Sequence, residues 1–236
     1  MKPTMLGLIL MFLVSSIAKP QLIIDHTCTD INEIPLARIL DAKELLHIAY
    51  GRTSHGGQLT TGMSGLISFA NEGGRGLMLP EDIFEYNGDG SYGRLHLENA
   101  VLGRDVGYWP DWYNNTVDYL NSSNNSEINV IMWSWCGQVG ERYEEGVLWD
   151  QYLSPMSTLE TLYPDVIFVY MTGHLDYGNR VNTNAANDSI RSFCLNNNKV
   201  LYDFADIESY SPDGTCYKNN ADDACNYYDE DGDSIG

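Results

Sequence analysis

Basic side chains are scarce in this chain of 236 residues: 13 Lys and Arg stand against 33 Asp and Glu, a formal net charge of -20. A surface of that sign repels phosphate backbones, which argues against nucleic acid and anionic membrane faces as partners. Long apolar runs are missing too. The run from Met5 to Val14 is too short for a comfortable membrane span. No pair of histidines has zinc-site spacing, and no Gly-rich phosphate loop follows a strand-like run. Only five cysteines and five histidines are present, so thiol and imidazole chemistry must be found among few residues.

What is present begins with an export signal. Met1 to about Ala18 carries one Lys, the apolar run, and small residues Ser15, Ser16 and Ala18, the layout of a secretory signal peptide. Residues 1–19 are read as that peptide, 20–212 as one α/β domain, and 213–236 as a Cys- and Asp-rich segment packed on it. An uncleaved N-terminal anchor is the competing reading. The expected product is a secreted protein with no membrane contact after cleavage. Sequons at Asn114, Asn121, Asn124 and Asn187 make it a candidate glycoprotein, and the first three mark Asn114 to Asn125 as surface. Some disulfides with one thiol left over are expected: Cys216 and Cys225 form the best local pair and Cys28 and Cys194 can form a second, although sequence does not fix connectivity, and Cys136 is then the odd one.

With hydrophobic content of 43%, the chain can bury a full core. Leu22 to Ile24 reads as an edge strand and Ile34 to Glu44 as a short helix. The stretch Leu45 to Leu59, LLHIAYGRTSHGGQL, reads as a buried strand stopped by glycines in a tight turn. Met63, Leu66, Ile67 and Ala70 then recur at helical spacing, and Asn71 to Gly107 is a Gly- and Asp-rich excursion expected to pass over the active edge. Trp109 to Leu120 is an amphipathic helix. Strands follow over Ile128 to Trp135, Val166 to Met171 and Val200 to Phe204, separated by helices over Val139 to Tyr163, broken near Pro155, and Asn187 to Asn197. Apolar strands alternating with helices imply a mainly parallel central sheet covered on both faces, a three-layer flavodoxin-like sandwich.

Three strands end on chemically capable residues: Thr53-Ser54-His55, Cys136-Gly137-Gln138 and Gly173-His174-Leu175-Asp176. A fourth ends on Asp203, Asp206 and Glu208. A parallel sheet brings all four ends to one edge, where such sheets bind ligands. The competing uses are structural: the turn hydroxyls cap the next helix, His174 satisfies strand-end carbonyls, and Cys136 packs as a small hydrophobe.

These strand ends, with the stretches MWSWCGQV, VYMTGH and LYDFADIES, resemble the SGNH (GDSL-like) hydrolase superfamily over roughly Leu45 to Glu208. The resemblance implies an α/β sandwich, Ser54 as nucleophile, and an oxyanion hole from the Ser54 N–H and Gly137. Gly173-His174 would stand at the place of the family's Gly-x-Asn element. The Gly-Asp-Ser-Leu sequence is absent, however, and no His follows His174, so the family's C-terminal base has no counterpart.

Ester attack by Ser needs a base within reach and donors aimed at the oxyanion. His174 is the expected base, oriented by Asp206 or Asp176, with His55 as runner-up because adjacent residues rarely point at each other. Gly137, Gln138, His55 and Gly173 complete the binding set. Cys136 is an alternative nucleophile, since a thiolate near His is reactive, although a catalytic thiol is vulnerable in an oxidising compartment. An exposed Trp109-Trp112 pair would favour carbohydrate, whereas Trp133 and Trp135 serve core packing equally well.

No cofactor is expected. Asp229, Asp231 and Asp233 resemble a calcium loop, but the Gly falls early and the chain stops at Gly236, so an acidic solvated tail is the simpler reading. The expected function is an exported acyl-ester hydrolase, an esterase or carbohydrate deacetylase using Ser54, His174 and Asp206 on a small acyl ester or carbohydrate substrate. The alternative is a non-catalytic relative serving in extracellular binding or self-assembly.

Overall fold

The computed structural model describes residues 22–72, 79, 83–86, 94–211, 213–224, 226–229 and 233. Seven parallel strands form one sheet: β1 (Leu22–Ile24), β2 (His47–Gly51), β3 (Phe84–Tyr86), β4 (Leu95–Asn99), β5 (Val130–Trp133), β6 (Ile167–Met171) and β7 (Val200–Tyr202). Their spatial order is β1-β7-β6-β5-β2-β4-β3. From β2 the chain moves outward to β3 and β4, then returns to the other side of β2 to lay down β5, β6 and β7. The direction of winding therefore reverses between β2 and β5, and ligand crevices in open parallel sheets lie outside the carboxyl ends at such a point. Tyr50 pairs with Met132 and Gly51 with Trp133, so the loops after β2 and β5 emerge side by side.

Burial on both faces explains why β5 and β6 are continuously apolar rather than alternating. Ala49, Ile131, Trp133, Phe168 and Tyr170 point into one cluster. There they meet Trp112 of α3 (Asp111–Asn121), Leu159 of α5 (Ser154–Leu162) and Ile190 of α6 (Arg180–Asn196). Tyr50, Val130, Met132, Val169 and Met171 point the other way, where Leu59 and Met63 of α2 (Gly57–Glu72) pack. The remaining helices are α1 (Leu36–Leu45), α4 (Val139–Glu144) and α7 (Phe204–Glu208). The expected flavodoxin-like sandwich is the observed fold.

Several polar groups inside the core are paired across elements, as burial favours. The Trp133 indole N–H donates to Thr116 Oγ1 at 3.0 Å, and the Met171 N–H donates to the Tyr152 hydroxyl at 2.8 Å. Arg191 grips Asp203 through Nε at 2.6 Å and a terminal nitrogen at 2.8 Å, a fork that ties α6 to the end of β7. Gly51 is required by contact: a Cβ there would stand 2.1 Å from the Trp133 ring.

Several expectations change. The excursion after α2 adds strands β3 and β4 to the sheet and does not merely pass over its edge, because Leu95 to Asn99 pairs with β2. Pro155 falls in the first turn of α5, where its missing N–H costs nothing, so it starts that helix and follows a π-helical turn at Trp149–Leu153. Helix α6 begins at Arg180, well before Asn187. Among the described residues there is no disulfide: Cys28 and Cys216 are exposed thiols and Cys194 is a buried one, while Cys225 lies outside them. Asn187 is fully buried, accepting from the Gly173 N–H at 2.8 Å and donating to its carbonyl, so it is not a glycan site in the folded chain. Asn114, Asn121 and Asn124 are exposed, as expected. Residues 1–19, read above as a signal peptide, lie outside the described set. No described helix is long and apolar enough to cross a membrane.

Candidate active site

The loop after β2 and the loop after β5 place His55 against Cys136, with Nδ1 and Sγ 2.9 Å apart. The other ring nitrogen, Nε2, lies 2.7 Å from Asp223 Oδ2. Cys136, His55 and Asp223 thus form one continuous chain of thiol, imidazole and carboxylate, the set of groups that nucleophile, base and orienting acid require, whatever the order of residues. The Ser54 hydroxyl is 3.3 Å from the same sulfur. With the thiol proton directed at His55 Nδ1, the sulfur accepts from Ser54. Burial opposes ionisation of Cys136, but hydrogen bonds from Ser54, His55 and Thr53, with the nearby His55 charge, outweigh it and hold the thiol below its usual range.

Backbone geometry opens this site. Gly137 has φ of +38°, and no atom lies within 4 Å of where its Cβ would be, so the chain turns sharply beside the sulfur and leaves space above it. The loop after β4 braces the other wall: Asp105 accepts from Thr53 Oγ1 at 2.5 Å and from the Gly107 N–H at 2.9 Å. Arg52 Nε donates to Asn99 at 2.8 Å, fixing the base of the Ser54 turn.

His174 takes a role different from the expected one. It is buried, its Nδ1 donates to the Leu175 carbonyl at 2.7 Å, and its Nε2 accepts from the Gly137 N–H at 2.9 Å. Both nitrogens are engaged, which defines a neutral ring and leaves no lone pair for a Ser54 proton. Burial first, and then the neighbouring His55, push its pKa down. Its ring stacks on His55 with centroids 4.1 Å apart, so His174 packs against His55 and has no free nitrogen to take a proton from Ser54. The same bond engages the Gly137 N–H that was expected to bind an oxyanion.

Other expected members of the site are also placed elsewhere. Asp206 accepts from the His26 backbone N–H at 3.0 Å and pairs with His26 Nδ1 at 2.5 Å, so it orients His26 and not His174. Asp176 accepts from the Asn179 N–H at the start of α6. The Gly173 N–H is engaged by Asn187, and Gln138 Oε1 accepts from the Cys136 N–H at 3.2 Å. Of the expected set, Ser54, His55, Gly137, Gln138 and His174 converge on Cys136, whereas Asp206 does not. Trp112 is fully buried while Trp109 is 40% exposed, so the two do not form an exposed pair; Trp133 and Trp135 are core.

Asp223 had no sequence signal. It belongs to an acidic, loop-rich segment with no periodicity, and only folding carries it back to His55. Gln58 Nε2 donates to its carbonyl, and the neighbouring Asp222 is tied by Tyr228 at 2.5 Å and by Asn226. His55, His174 and Asp223 could in principle gather round a metal ion, as could Asp25, His26 and Asp206. In the first group every ring nitrogen already has a protein partner, so the arrangement is a hydrogen-bonded relay and not an open ligand set. Of the acids read as a calcium loop, Asp231 lies outside the described residues, and Asp229 Oδ1 accepts from the Asp233 N–H at 2.9 Å. Comparison with protein-family models, curated proteins and solved structures finds no match for this chain.

Proposed function

We propose that the chain is an exported acyl hydrolase that uses the Cys136 thiol as its nucleophile. The observation that carries this reading is the unbroken contact from Cys136 Sγ through both nitrogens of His55 to Asp223, at the point where the sheet's winding reverses. Ser54, the expected nucleophile, has the sulfur and no imidazole nitrogen as its hydrogen-bond partner. Its hydroxyl supports the thiolate.

The chemistry follows from the positions. His55 Nδ1 takes the thiol proton as Sγ attacks the acyl carbon, and Asp223 balances the positive charge that develops on the ring. Collapse of the tetrahedral adduct breaks the ester C–O bond, and His55 returns the proton to the departing alkoxide. An alcohol leaves and an S-acyl Cys136 remains. Water then attacks this thioester with His55 as base, releasing the carboxylic acid and restoring the thiol.

The deciding experiment is hydrolysis of p-nitrophenyl acetate by the purified protein beside Cys136→Ala and Ser54→Ala, with mass spectrometry of the quenched enzyme. Loss of turnover in Cys136→Ala, retention of most of it in Ser54→Ala, and an acetyl group on Cys136 are expected. Turnover that survives Cys136→Ala and vanishes in Ser54→Ala would return the nucleophile to Ser54. Inactivity throughout, without preferential alkylation of Cys136, would move the fold to extracellular binding or assembly.

A further inference from the structure

Behind Asp223 lies a cavity of about 660 Å³, on the face of the sheet that α2 covers. Leu59, Met63 and Leu66 of α2, Phe204 and Ile207 of α7, and Ile31 line it. The volume falls in the range of small-molecule sites, which are typically apolar with a few placed polar groups. Its polar wall is acidic. Asp25, Glu208 and Asp223 line it, and among the described residues no Lys, Arg or His does.

Resting on the thiol-hydrolase reading, we propose that this cavity receives the neutral aliphatic chain of the acyl substrate, entering past the Asp223 end of the relay. Two features support the assignment. The first is continuity: Asp223 and Gln58 are lining residues, and one imidazole ring separates Asp223 from the attacking sulfur. The second is charge. A negatively charged group on the chain would face the Asp25 and Asp223 carboxylates with no described cationic side chain among the lining residues to receive it, so the wall suits an uncharged aliphatic chain. Glu208 adds a polar point: its Oε2 accepts from the Leu175 N–H at 2.8 Å, while its buried Oε1 has no partner. Burial pushes this carboxyl up to about 8, so near neutral pH it is mainly an uncharged donor.

The test uses the full chain and a series of p-nitrophenyl esters from acetyl to decanoyl, together with titration of 1-decanol as a neutral probe. Burying methylenes should raise kcat/KM at least tenfold along the series, since each buried CH₂ is worth a factor of about four at the upper limit. Gly62→Trp is the blocking variant, because Gly62 lines the cavity from an exposed helical position where an added Cβ meets no atom within 4 Å. It should remove the chain-length gain and decanol binding while leaving acetyl turnover within about twofold of wild type. Met63→Trp, from the next residue of the same helix, should do the same. Cys136→Ala should bind decanol as wild type does. Saturable, Gly62→Trp-sensitive decanol binding without any ester turnover would preserve the cavity and overturn the thiol-hydrolase reading. Ester turnover with no chain-length gain and no decanol binding would overturn the cavity alone.

Discussion

His55 and His26 sit in matching settings on the same edge of the sheet. Each is half-buried and paired to a carboxylate, His55 with Asp223 at 2.7 Å and His26 with Asp206 at 2.5 Å. Each stacks on a second ring, His55 on His174 at 4.1 Å and His26 on Tyr210 at 3.5 Å. They differ in what the other nitrogen meets. His55 Nδ1 faces the Cys136 sulfur, at the reversal between β2 and β5. His26 uses its Nδ1 on the carboxylate itself and lies beyond the outermost β1-β7 pair. An oriented imidazole is therefore a common packing solution at strand ends, and a nucleophile on its free side is what separates a candidate catalytic pair from a structural one.

The sharpest way to break this comparison is to replace each histidine. His55→Gln should lower kcat for p-nitrophenyl acetate by on the order of 10³-fold, since it removes the base, while His26→Gln should change it less than about threefold. Equal losses in the two variants would erase the distinction. A smaller effect is expected at the carboxylates. Asp223→Asn should cost on the order of 10² to 10³ in kcat through loss of ring orientation, and Asp206→Asn should leave kcat near wild type.

Glu208 gives a prediction on stability. Its carboxyl ordinarily titrates near 4.5 and is pushed up to about 8 by burial first, with Asp223 and Asp222 adding to the shift. Between those values the folded chain holds a proton that the unfolded chain has released. Its contribution is fully present below about pH 4.5 and is lost as pH rises through 8, a penalty on the order of a few kcal/mol. Glu208→Gln should flatten this fall, measured as the midpoint of urea unfolding between pH 5 and 9. A pH dependence unchanged from wild type would show that Glu208 ionises freely in the folded chain.

The smallest effect concerns Ser54. Removing its hydroxyl takes one hydrogen bond from the thiolate, so in Ser54→Ala the pH profile of iodoacetamide alkylation at Cys136 should move upward. An unshifted profile would mean that His55 alone sets the thiol's acidity.

Much of the fold could be read from local pattern. The continuous apolar runs of β5 and β6 announced strands buried on both sides, and the glycines after Tyr50 announced the turn that carries Ser54 and His55. Strands β3 and β4 were missed because they lie in a Gly- and Asp-rich stretch whose pairing depends on β2. Within the candidate site, the strand-end positions of Ser54, His55, Cys136 and His174 were legible from the alternation of strands and helices. Their roles were not. Whether His174 or His55 faces the nucleophile depends on where ring nitrogens point, and the Gly137 N–H decides that for His174.

The amino-acid sequence by itself determined the class of fold, the edge on which reactive side chains gather, and the acidic surface, because periodicity, glycine turns and net charge are local or additive properties. Tertiary structure alone decided the partners. Asp223 reaches His55 only when the C-terminal segment folds back, across a separation of 168 residues that no spacing rule encodes. The same return supplies one wall of the apolar cavity. Asp206 turns instead to His26, because β1 pairs with β7 and brings residue 26 beside the start of α7.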